Sequence, residues 1–112
     1  MKYILVAALF LSGCSVILPV KHDPALFNNL VEVKVAVDKL NCENKDWLDA
    51  QNKITHLRVY TELRKDPQAN SVVQLGEAIE KAKQSNNKTF CESILRINKT
   101  RIDVIADAWR GR

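Results

Sequence analysis

The chain has little glycine, little proline and few aromatic residues. Three Gly and three Pro in 112 residues leave no stretch with the composition of a flexible linker, which excludes a second domain joined by one. At an aromatic share of 6% the core has to be aliphatic, packed from Leu, Val and Ile on helix faces. Also missing are a glycine-rich phosphate loop, a CxxC pair, a paired-carboxylate signature and any His, Cys or Asp set at metal-ligand spacing. The two histidines, His22 and His56, stand apart from any candidate nucleophile. A protein without catalytic residues, metal or cofactor is therefore expected. No permanent membrane-spanning helix is expected either, because the apolar run from Tyr3 to Gly13 is shorter than the roughly 20 residues that a bilayer requires.

What the sequence does have begins at its N-terminus. Lys2 is followed by the compact apolar run Tyr3 to Phe10 and then by the small residues Ser12 and Gly13, the three-part layout of an export signal. The next residues, Leu11-Ser12-Gly13-Cys14, resemble the lipobox of bacterial lipoproteins. The resemblance covers only the first 15 residues. It implies diacylation of the Cys14 sulfur, cleavage before Cys14 and acylation of the new amino terminus. It also implies, from Ser15 with no Asp at that place, delivery to the outer membrane of a Gram-negative cell. Residues 1–13 are accordingly expected to be a signal peptide, 14–23 the acylated cysteine with a short tether, and 24–112 a helical domain. Several acyl chains make such an attachment lasting, where one alone is marginal. An ordinary secretory signal, or an N-terminal anchor helix with an inert Cys14, remain the other readings; both still export the chain.

The tether, residues 15–23, reaches about 30 Å when fully extended. It is apolar at Val16-Ile17-Leu18, so it either enters the membrane interface or tucks against the domain. In both cases the domain stays close to the leaflet. Cys42 and Cys91 would then share an oxidising compartment, where pairing is the economical inference. The loop closed would hold about 50 residues, for which chain entropy gives roughly 4 kcal/mol. Buried free thiols, or redox or metal chemistry, are the competing readings.

Four helices are expected. Asp23 as N-cap and Pro24 at the first helical position open the first, with Leu26, Leu30, Val33, Val37 and Leu40 on one face. Its middle, Val31 to Val37, also alternates like a strand, but no second strand candidate exists to pair with it. A second helix is expected over 46–65, with Trp47, Ala50, Ile54, Leu57 and Thr61 along its stripe, ended by Asp66-Pro67. A third is expected to begin after Asn70 or Ser71, where Ser71 and Gln74 have capping-box spacing, and to present Val72, Leu75, Ile79 and Ala82. Gly76 inside it implies close packing against a neighbour. After the turn at Ser85-Asn86-Asn87, the fourth and longest is expected over 89–110, using Cys91, Ile94, Leu95, Asn98, Ile102, Ile105 and Trp109. With short loops these helices form a small all-α, antiparallel up-down four-helix bundle. That topology brings the end of the first helix beside the start of the fourth, where Cys42 and Cys91 lie, so staple and topology agree.

Charge is uneven along the chain, which is +4 overall. The first three helical segments balance, with Asp66 counted in the second, while Lys88 to Arg112 carries six basic residues against three acidic ones. Export argues against nucleic acid as the partner. An acidic protein surface or anionic headgroups suit the excess better than nucleic acid, and the plainer reading is a solvated helix face with Glu92 and Arg96 at helix-stabilising spacing. Trp109, Arg110 and Arg112, with Arg101, are the candidate partner-binding residues, since Trp and Arg are frequent interface anchors. The alternative has Trp109 capping the core, with Arg110 and Arg112 favouring the helix C-terminus electrostatically.

Three functional classes follow. The first is an interaction or shielding module, held to the membrane lipid through acylated Cys14 and directed at an outer-membrane or periplasmic protein. In size and plan it is similar to phage- and plasmid-encoded exclusion lipoproteins. The second is a lysis role, as in the outer-membrane subunit of a phage spanin, although that family often has a shorter, proline-rich mature chain. The third is inhibition of a periplasmic hydrolase, presented through Arg110-Gly111-Arg112 or the turn from Asp66 to Asn70.

Overall fold

A computed structural model describes residues 21–44 and 46–112. Four helices follow one another: α1 (Pro24–Asp38), α2 (Leu48–Arg64), α3 (Ala69–Gln84) and α4 (Lys88–Arg110). Each packs against its neighbours in sequence, and α1 closes the square against α4. Cross-contacts give the directions. Cys42, just past α1, bonds to Cys91 at the start of α4, and Lys34 in α1 pairs with Asp103 in α4. His22, just before α1, lies beside the carbonyl of Trp109 at the end of α4. The bundle is thus antiparallel and up-down, stapled by the Cys42–Cys91 disulfide with its Cα atoms 6.0 Å apart.

The first helix starts as its residues dictate. The Asp23 carboxylate accepts from the backbone N–H groups of Ala25 and Leu26, and Pro24 follows where no N–H is needed. Val31 to Val37 is helical, with Val33 and Val37 fully buried and Val31 and Val35 turned outward. The second helix ends in a left-handed residue, Lys65 (φ 55°), whose N–H donates to Glu62 while the N–H of Asp66 donates to Thr61. Those two bonds are the Schellman closure, usually built on glycine.

The third helix begins earlier than Ser71. Asp66 Oδ1 accepts the Gln68 N–H at 2.8 Å, and the Asp66 carbonyl accepts the N–H of Ala69. The turn after α2 therefore runs straight into α3. Ser71 sits inside the helix and donates to the Gln68 side chain instead of capping. Asn87 caps α4 by accepting the Phe90 N–H.

The core is aliphatic apart from Trp47 and Trp109, one near each end. All four expected stripes contribute to it, from Leu26, Leu30, Val33 and Val37 through Ile54 and Leu57 to Leu75, Ile79, Leu95, Ile102 and Ile105. A Cβ on Gly76 would meet Ile54 Cγ2 at 3.3 Å, so the glycine lets α3 lie close against α2.

Candidate interaction surfaces

Two regions carry polar or apolar groups that the core does not require. The first lies where α1 begins and α2 and α4 end. Asp66 is the centre of it, with its side chain fully shielded from solvent. Its carboxylate receives the Trp109 indole Nε1–H at 3.1 Å and a two-pronged contact from Arg112, Nη1 at 2.6 Å and Nη2 at 3.0 Å. Burial by itself would raise the Asp66 pKa, but the hydrogen bonds from Arg112, the Gln68 N–H and Trp109 hold it below the ordinary value. Arg64 stands next to it, with Nε 4.0 Å from Asp66 Oδ2. Arg64 also reaches outward, donating to Asp23 Oδ2 at 3.1 Å and to the Lys21 carbonyl at 2.8 Å. Tyr60 donates to Asp23 at 2.7 Å, and this bond, with the Leu26 N–H and Arg64, lowers the Asp23 pKa, while the same bond to the carboxylate raises that of Tyr60. The chain leading into α1 is thereby clamped onto the end of α2.

The second region is the outward side of α4. The inward side of α4 carries the buried residues Cys91, Leu95, Asn98, Ile102, Ile105 and Trp109. A separate stripe at seven-residue spacing, Phe90, Ile97 and Val104, faces solvent and stays about half exposed or more. Phe90, Ile94 and Ile97 border a groove of about 490 Å³ between α3 and α4, opposite Ala78 and Lys81. Asn98 lines the same groove. Its amide nitrogen donates back to the Ile94 carbonyl, and its Oδ1 is buried without a hydrogen-bond partner.

The sequence-derived candidates fall into different places. Cys14 lies outside the described residues. Cys42 and Cys91 are joined, and Cys91 is buried. Trp109 is buried beneath the bundle end and bound to Asp66, and Arg112 is tied to the same carboxylate. Arg110 is exposed and paired with Asp107 one turn earlier. Arg101, on the rim of the α3–α4 groove, makes no ion pair among the described residues. The structure therefore brings Trp109 and Arg112 together with Asp66 and leaves Arg101 apart, beside the apolar stripe. Of the histidines, His22 adjoins the Trp109 carbonyl and Phe27, while His56 is exposed on α2.

Sequence reasoning passed over the carboxylate network and the second stripe. Asp66 reads in the sequence as half of a helix-breaking Asp-Pro pair, and its partners lie 43 and 46 residues away. The seven-residue recurrence of Phe90, Ile97 and Val104 was the available signal for the stripe. Among the described residues no group of three or more His, Cys, Asp or Glu side chains is placed to hold a metal, and no helix is long and apolar enough to cross a membrane. Comparisons with protein-family models, curated proteins and solved structures find no match to this chain.

Proposed function

We propose that the protein is a lipid-anchored periplasmic module, held to the outer membrane through acylated Cys14, that acts without catalysis by binding or shielding an envelope protein. The observation that carries this reading is the clamp on the chain leading into α1. Arg64 holds both the Lys21 carbonyl and the Asp23 carboxylate. Only residues 15–20 then separate the acylated cysteine from the first clamped residue, a reach of at most about 25 Å. The domain would stand on the membrane by the end where α2 and α4 finish, rather than swing freely. That end also exposes Leu63, Lys65 and Lys21, an apolar and cationic set suited to a headgroup layer. The long sides of α3 and α4 would then face sideways, toward neighbouring envelope proteins.

Affinity capture from solubilised outer membranes, comparing the wild type with Cys14→Ala, tests the reading. Retention of one envelope protein by the wild type, and its loss with Cys14→Ala, is the expected result. Equal behaviour of the two forms would remove the anchor from the mechanism.

A further inference from the structure

We propose that the groove between α3 and α4 is the partner-binding site, and that it takes an amphipathic helix whose apolar face is flanked by carboxylates. This deepens the interaction reading above and rests on it. Two separate features of the groove point the same way. Its floor is apolar, with Phe90, Ile94 and Ile97 facing Ala78, and the exposed stripe continues to Val104. Positions 90, 97 and 104 lie two helical turns apart, so a second helix running alongside α4 can meet all of them.

The second feature is charge. Lys81 and Arg101 stand on the groove's two sides, and neither is ion-paired among the described residues; Glu77 is the single carboxylate there. A helix bearing acidic residues beside its apolar anchors complements that balance.

A second copy of this chain fits the groove less well. An isologous contact would place the same cationic excess on both sides.

The test is photo-cross-linking in cells that make the full chain, with benzoylphenylalanine replacing Ile97 in one form and Val35, exposed on α1, in the other. The adduct is mapped by mass spectrometry. The expected result is an Ile97 adduct on a helix-forming segment of an envelope protein with Asp or Glu beside its apolar residues. The Lys81→Glu/Arg101→Glu double variant should then lower its yield about tenfold. Both residues are at the surface, and circular dichroism checks that the variant folds. Because Val35 lies on another face, an Ile97 adduct to a second copy, or a protein adduct at Val35 alone, overturns the groove while leaving the interaction reading standing. Absence of any protein adduct at either position, in protein recovered from the envelope, overturns both. A yield indifferent to charge reversal overturns the acidic character of the partner.

Discussion

At one end of the bundle a covalent bond joins Cys42 to Cys91, and the Trp47 indole N–H donates to the carbonyls of Asn41 and Asn44. At the other end a buried carboxylate, Asp66, gathers the Trp109 indole and Arg112, with Arg64 and Asp23 beside it. Both ends bury a tryptophan and satisfy its N–H, as a buried indole requires. They differ in what holds them. The disulfide end responds to reducing agents, and its polar contact across the bundle is the exposed Glu43–Lys88 pair, which lowers the Glu43 pKa. Among the described residues the carboxylate end has no cysteine, and its contacts depend on ionisation. A chain with a small aliphatic core gains from a crosslink where the loop is long. Near the clamp on the chain leading into α1, charged side chains do two tasks, closing the core and fixing the direction in which the chain leaves it.

The difference can be broken one end at a time. The largest effect is expected from the disulfide. Cys42→Ser/Cys91→Ser should lower unfolding stability by about 4 kcal/mol, read from urea denaturation at pH 7. At the other end Asp66→Ala should cost about 3 kcal/mol, because it leaves the Arg112 guanidinium and the Trp109 N–H without their shared acceptor. These two losses should add, since Cys91 and Trp109 lie about 27 Å apart along α4 and share no partner. A large departure from additivity in the triple variant would show that the ends are coupled.

Acid sharpens the contrast further. The Asp66 and Asp23 carboxyls are held below their ordinary value of 3.8 in the fold. A depressed carboxyl contributes stability that is present above its unfolded-state value and disappears as the pH falls through the lower folded-state value. Denaturation midpoints should therefore drop below about pH 4. In Asp66→Asn the drop should shrink, with the remainder belonging to Asp23 and Glu43. Mild reductant at pH 7 should leave the acid-dependent part unchanged. The smallest effect is a gain: Lys65→Gly places glycine at the left-handed position that closes α2 and should raise stability by up to about 1 kcal/mol, seen as a higher thermal midpoint.

Much of this architecture was legible in the sequence for specific reasons. Leu26, Leu30, Val33 and Val37, and likewise Cys91, Leu95, Ile102 and Ile105, recur at helical spacing and are buried as that spacing implies. Short loops then force neighbouring helices to alternate in direction, which places Cys42 beside Cys91. The start of α3 was not legible, because the Asp66 side chain begins the turn and no local pattern distinguishes that role from a simple break at Pro67. The carboxylate network was hidden for a related reason. Tyr60 and Arg64 lie on α2 but Asp23 precedes α1, and Asp66 follows α2 while Arg112 follows α4; only the packed end of the bundle brings them together. The groove was half legible: the seven-residue stripe is in the sequence, but its facing wall on α3 and the unpartnered Asn98 oxygen require the fold.

Everything proposed for function depends on Cys14 as the anchor beside the clamped end. The most direct measurement is the intact mass of the mature protein extracted from envelopes. The expected mass is that of a chain beginning at Cys14 and carrying the diacylglyceryl group and the amino-terminal acyl chain. A mass equal to the unmodified chain, or one that retains residues 1–13, would contradict the anchoring and with it the proposed orientation on the membrane.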